Sequence, residues 1–412
     1  MKQDKLVITG MGAVTPIGIG VANYWKALTS GMCGIGPITR FDASNLPVQI
    51  AAELKDFDPS AFMPKTLART MDPFMQYAFA AAEEALEDSG LCIEPENERI
   101  GIVMGTAMDG VTTVAQTQAS FDEGHRVGPR FVPMTIGNIA AAQIAIAHGI
   151  HGPSLTLNTA CSAGGDAVMT AAMLLRTGEA DAVLAVGGES ILCPIVVSGL
   201  SQAKALSRRN DDPASACRPF DADRDGFVIG EGGGALLIET EAHALARGAT
   251  IYAELAGYAN TSDAHHVTAP CPDGAGAAAC MQRALARANM QPSDIGYINA
   301  HGTSTPLGDK AETMAIKAVF GGPESAPPIS ATKSATGHLM GAGGLTEAIA
   351  CILAIRDGIL PPTLNLNTPD PDCDLDYVPK VARKATIEAA MSNSLGFGGQ
   401  NSSLIVKKYH RA

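Results

Sequence analysis

The stretch SLTLNTACSAGGDAVMTAA, Ser154 to Ala172, decides the fold and raises the functional question at once. An apolar, β-branched run reads as a strand, and small residues then open an alanine-rich helical pattern. One cysteine, Cys161, stands at the handover. A thiol on a strand-to-helix turn points away from the core. The helix N-terminus beyond it supplies partial positive charge and free backbone N–H groups, so the setting predicts a lowered thiol pKa. Ala160, Ser162, Ala163 and Gly164 are small and leave room for a substrate to approach.

Outward from this stretch, the strand-like runs KLVITGMGAV, RIGIVMGTAM and DAVLAVGGES alternate with helical patterns such as NYWKALTSG and MQYAFAAAEEALEDSG, and GGALLIETEAHALARG reads as a strand followed by a helix. The alternation predicts an α/β fold layered around a mostly parallel sheet. A coarse internal repeat is present. ERIGIVMGTAMDG resembles SDIGYINAHGTST, and the segment from Ser154 to Val183 resembles PISATKSATGHLMGAGGLTEAIACILAIRDGIL. The 412 residues are therefore expected to form two halves, 1–250 with the cysteine and 251–412, packed as one body without a low-complexity linker.

Composition narrows the function. Hydrophobic residues make up 46% and charged residues 17%, as in a folded enzyme with a large core. A net charge of −13 argues against nucleic acid and anionic membranes as general partners. The nine cysteines are irregularly spaced with no CxxC, which disfavours a disulfide framework or structural zinc and fits a reducing, cytoplasmic setting. The N-terminus lacks a signal-peptide layout, and no apolar run approaches the roughly 18 residues of a membrane span.

Two histidines join the cysteine as candidates. His301 in INAHGTSTPLGD and His338 in SATKSATGHLMGAGG each stand at a small-residue turn rich in glycine and hydroxyls. Neither lies in a clustered metal motif such as HExxH, and the adjacent histidines of DAHH (Asp263–His266) are poorly placed to share one ion, so no metal is expected. NSLGFGGQNSSL, Asn393 to Leu404, is a glycine-rich loop able to bring backbone N–H groups to a developing oxyanion. GEGGGALL precedes a strand instead of following one, which excludes a dinucleotide loop.

With Cys161, His301, Lys333, His338 and the GFGG loop assembled, the chain resembles the β-ketoacyl-acyl-carrier-protein synthases, nearest to their type II branch. The likeness runs almost end to end, through VITGMGAVTPIG, TAC, RPFDADRDGFVIGEG, NAHGTSTPLGD, TKSATGHLMGAGG and GFGGQNSSL. It implies the thiolase fold, duplicated αβαβα layered halves, and a decarboxylating Claisen condensation with malonyl-ACP. Cys161 would carry the acyl chain, and the N–H groups of Cys161 and Phe397 would form the oxyanion hole. His301 and His338 would stabilise the enolate, with Lys333 ordering the site beside Glu347. Thr303, Thr305 and Thr268 match pantetheine-binding positions, and Met108 and Leu200 match positions along the acyl tunnel. No cofactor is implied beyond the phosphopantetheine that arrives on the acyl carrier protein. Some relatives hold a cation near Asn299, Glu347, Ser392 and Asn393; here Glu347 is expected to serve Lys333 instead.

The resemblance further implies an acidic carrier docking on basic residues, for which Lys65, Arg69, Arg126, Arg130, Lys204, Arg208 and Arg209 are the candidates. It implies a homodimer joined at the sheet edge of the first half, or a heterodimer with a chain-length-factor-like subunit. Leu395, Gln400 and Asp109 depart from the usual pattern, and keep open a specialised ketosynthase of a polyketide or polyene pathway using the same three residues. A silent partner subunit would lack the nucleophile, and a degradative thiolase would carry a second cysteine in place of one histidine; neither describes this chain.

Overall fold

The computed structural model describes residues 4–94 and 97–411. Strands β1 (Leu6–Thr15), β2 (Ile100–Gly105), β3 (Ser154–Leu157), β4 (Ala182–Glu189) and β5 (Gly232–Thr240) are followed by β6 (Ala253–Ser262), β7 (Tyr297–Asn299), β8 (Ile329–Ser330), β9 (Ala389–Gly396) and β10 (Gln400–Lys407). They lie in the order β8-β7-β9-β10-β6-β1-β5-β4-β2-β3, with the short strand Gly18–Ile19 added to β1. From either outer edge the order is third, second, fourth, fifth, first. The two sets meet at β1 and β6 through only two register pairs, Val7↔Glu254 and Ile8↔Ala253. Pairing is parallel among the outer strands and antiparallel towards the centre.

Side-chain alternation along the strands builds the layers. In β4 and β5, Val183, Ala185, Leu236 and Ile238 face a central cluster with Val168, Ile349 and Leu353. Their neighbours Ala182, Leu184, Ala235 and Leu237 face Phe74 and Ala78 on the other side. Helices α1 (Pro73–Ser89) and α2 (Asn138–His148) thus cover one outer face, while α3 (Ala163–Thr177) lies in the centre. Beyond the second set of strands, α4 (Ala275–Ala288) and α5 (Pro306–Phe320) cover the far face, and α6 (Gly343–Asp357) joins α3 in the centre. The result is the αβαβα layering that the resemblance implied. Strands buried on both faces explain the near-continuous apolar runs.

Of the central helices α6 is the more enclosed, with every residue from Gly343 to Ile355 buried; α3 is buried from Ala163 to Val168 and reaches solvent at Met173. They also repeat each other at an interval of 180 residues. Single 3₁₀ turns, Ala160–Ser162 and Met340–Ala342, precede helices starting at Ala163 and Gly343. Ala160 (φ 51°) and Met340 (φ 46°) both adopt the left-handed conformation, at roughly 1–2 kcal/mol each for a residue with a Cβ. Both helices end at left-handed glycines, Gly178 and Gly358.

The helix starts touch backbone to backbone. A Cβ on Gly164 would lie 2.7 Å from the Gly341 carbonyl oxygen, and one on Gly344 would lie 2.6 Å from the Gly165 nitrogen. Gly164 is therefore small because a second helix packs on it, and Gly165 because a Cβ there would lie 2.6 Å from Ser402 Oγ of β10. Substrate room accounts for Ala160, which lines the cavity described below, but not for Gly164. Gly344→Ala should destabilise the fold by about 1–3 kcal/mol through overpacking. Gly343→Ala, whose new methyl group meets nothing within 4 Å, should leave it unchanged. Calorimetry of the two variants measures the difference, and equal melting temperatures would contradict the contact.

Candidate active site

The turn carrying Cys161 is held by a carboxylate that sequence reasoning missed. Asp166, buried in the first turn of α3, accepts from Thr159 Oγ1 at 2.6 Å and from Asn260 Nδ2 at 2.8 Å. Ser162 Oγ donates to the Thr159 carbonyl and lies 3.2 Å from Asp166 Oδ2. Cys161, between them, is 8% exposed. Its thiol is not lowered as the sequence suggested. Burial pushes it up to about 11, outweighing the lowering effect of the Phe397 and Cys161 backbone N–H groups and of the Lys333 charge; the buried Glu189 carboxylate adds to the rise. The helix terminus acts as expected, but desolvation of a thiolate is the larger effect. The free thiol therefore holds its proton at neutral pH.

His301 follows β7, and Glu312 of α5 fixes its backbone by accepting from the N–H groups of His301 and Gly302, both at 2.8 Å. His338 follows the helical turn Lys333–Thr336. The two rings stand nearly perpendicular with centroids 5.3 Å apart. One donor atom from each of Cys161, His301 and His338 lies within 4.8 Å of the others. Met340 N–H donates to His338 Nδ1 at 3.3 Å, which leaves the ring proton on Nε2. His338 is thus set to donate, the reverse of the tautomer that would ligate through Nε2. Burial, then the charge of Lys333, holds both imidazoles well below the usual histidine range. Both are neutral donors at neutral pH.

Lys333 is 2% exposed and donates to Glu347 Oε1. Glu347, on α6, does not line the cavity and so is no substrate contact; it is the counter-ion of Lys333, as the resemblance implied. The cavity, about 260 Å³, is lined by Cys161, His301, His338 and Phe397 with Thr303, Thr305, Thr268, Met108 and Leu200. Met340 and Phe227 line it as well; Met340 Sδ is 4.0 Å from Cys161 Sγ, and Phe227 meets the His338 ring edge-on. Phe397, Gly398 and Gly399 of the GFGG segment form the three-residue turn between β9 and β10, where Gly398 (φ 83°) and Gly399 (φ 70°) require glycine. Asp263 N–H donates to the Gly399 carbonyl at 2.8 Å, and Asn401 Nδ2 donates to Asp263 Oδ1 at 2.7 Å. Asp263 and Asn401 stood inside quoted motifs, but nothing in their spacing marked them as partners. Outside the cavity, Lys65, Arg69, Arg126, Arg130, Lys204 and Arg208 are exposed and Arg209 is half-buried. Arg69 and Arg130 border one surface depression of about 500 Å³.

A thiol on a strained strand-to-helix turn, facing two neutral imidazole donors and two backbone N–H groups, defines a thiol-dependent acyl-transfer enzyme on an αβαβα fold. The chain belongs to the β-ketoacyl synthase family: residues 3–244 match its N-terminal domain and residues 252–367 its C-terminal domain. It is 46% identical over 412 residues to the 3-oxoacyl-(acyl-carrier-protein) synthase 2 of Synechocystis sp., covering 99% of both chains. Among solved structures it superposes on the ishigamide ketosynthase/chain length factor with a TM-score of 0.91 at 35% identity, over 99% of this chain and 100% of the other. A type II polyketide ketosynthase, bound to the hexaketide and in complex with its acyl-carrier protein, gives the same TM-score at 33% identity and the same coverage.

The neutral histidines carry a stability consequence. Unfolded, each imidazole titrates near 6.5; folded, both titrate well below it. As pH falls through about 6.5 the unfolded chain takes up protons first, so stability is full above that pH and declines below it. Urea midpoints at pH 7.5 and 5.5 should show the loss, and a His301→Asn/His338→Asn double variant should lose less between the same two pH values.

Proposed function

We propose that the chain elongates acyl chains in fatty-acid synthesis by a decarboxylating Claisen condensation. The observation that carries this is the convergence of Cys161 with His301 and His338 in one cavity. In the first half-reaction the Cys161 sulfur attacks the thioester carbonyl of an acyl-ACP. The oxyanion sits between the N–H groups of Cys161 and Phe397. The thiol proton leaves through a neutral imidazole for the departing pantetheine sulfur. In the second, malonyl-ACP loses carbon dioxide, and the enolate oxygen receives the Nε2–H of His338 together with His301. The enolate carbon attacks the acyl-enzyme carbonyl, the C–S bond to Cys161 breaks, and β-ketoacyl-ACP leaves. Thr303 and Thr305, whose hydroxyls lie 3.1 Å apart, and Thr268 at the mouth face the pantetheine arm. Met108 and Leu200 line the acyl end. No cofactor of the chain's own enters this scheme.

The partner in this reading is an acyl carrier protein, docked on Lys65, Arg69, Arg126, Arg130, Lys204 and Arg208. Support comes from their exposure and from the relative seen in complex with its acyl-carrier protein. The assembly proposed is a homodimer joined along β3, the outer strand of its half, whose Leu155 is 44% exposed; an unpaired edge favours strand addition. Residues 1–250 and 251–412 form the two halves. The setting proposed is the cytoplasm; no helix among the described residues is long and apolar enough to cross a membrane.

Intact mass measurement tests the chemistry. The wild type should gain an acyl mass from acyl-ACP and lose it to malonyl-ACP with formation of β-ketoacyl-ACP, whereas Cys161→Ala should never load. Absence of loading in the wild type, from saturated, unsaturated or polyenoyl carriers, would refute the reading. Docking is tested separately by Lys65→Glu/Lys204→Glu, which should raise KM for acyl-ACP roughly tenfold, leave kcat unchanged and flatten the salt dependence.

A further inference from the structure

We propose that Asp166 is a positioning residue that locks the nucleophile turn to the oxyanion hairpin across the junction of the two halves. The inference rests on the reading of Cys161 as the nucleophile.

The oxyanion hole needs two donors from distant parts of the chain. Cys161 N–H belongs to the turn after β3, and Phe397 N–H belongs to the turn between β9 and β10. They act together only if their relative position holds to about 0.5 Å. The glycine contacts between α3 and α6 bring the halves close, but backbone packing without directional bonds does not by itself set that register. Asp166 supplies direction. Oδ2 takes the Thr159 hydroxyl at 2.6 Å, pinning the turn on the N-terminal side of the left-handed Ala160. Oδ1 takes Asn260 Nδ2 at 2.8 Å from β6. Asn260 pairs with Ser402 on β10, and Ser402 pairs with Ser394 on β9, two residues before Gly396. One carboxylate therefore connects the Cys161 turn, through two ladder rungs, to the strand end that carries Phe397. At 2% exposure the carboxylate is shielded from competing water, so each arm is directional and costly to lose.

Its twin shows that the fold does not demand it. At the 180-residue interval, the position equivalent to Asp166 is Thr346, whose hydroxyl bonds only the Gly343 carbonyl at 3.0 Å inside its own helix. A carboxylate is needed where a nucleophile must be registered against a donor from the other half.

The test is Asp166→Asn, which keeps size and the Thr159 contact but sets an amide donor against the Asn260 amide. Single-turnover acyl loading per folded molecule should fall at least tenfold. Iodoacetamide alkylation of Cys161, which needs no oxyanion hole, should stay within threefold of wild type. Asp166→Asn/Asn260→Asp, which restores a donor–acceptor pair with roles exchanged, should recover most of the loading. Where Asp166→Asn does not fold, Asn260→Ala removes the cross-half arm alone and should show the same split. Loading at the wild-type rate would overturn the proposal, as would loading and alkylation changing in parallel, which marks a general structural defect. A wild type that never loads would instead bring down the reading of Cys161 itself.

Discussion

Everything at the active site depends on two helix starts touching without side chains between them. Gly164 against Gly341, and Gly165 against Gly344, let the backbones of α3 and α6 meet at van der Waals range. Each helix is preceded by a strained 3₁₀ turn, one carrying Cys161 and the other following His338. Pushing the helices apart by one methyl group would move the sulfur from the imidazoles by a comparable distance. The stability of the core and the geometry of the chemistry rest on the same contact.

The electrostatics follow from burial. The same enclosure that raises the thiol lowers both imidazoles, since each is kept from its charged form by desolvation. Lys333, the one buried cation beside them, is answered by Glu347 and adds a field that favours thiolate while disfavouring imidazolium. The thiol and both imidazoles thus rest uncharged.

Much of this was legible in the chain. The strand–turn–helix at Cys161, the two histidine turns and the glycine hairpin were each read at their residues, and the repeated halves were visible as pattern. What the sequence concealed was tertiary. The thiol pKa could not be read because the opposing effect, enclosure by Met340, Phe227 and the C-terminal hairpin, comes from residues 66 to 236 positions away. Asp166 looked like any first-turn acid, and its work becomes visible only when Asn260 arrives from the other half.

The 180-residue interval sets Gly341 opposite Cys161 as its counterpart. A side chain there would strike the Thr106 Cα at 2.7 Å, the Ala107 nitrogen at 2.8 Å and Glu189 Oε2 at 2.8 Å. The loop carrying Met108 occupies the space that a second thiol would need. The duplicated architecture offers two equivalent seats and sterically closes one, so only the first can hold a side chain at all, upstream of any choice of residue.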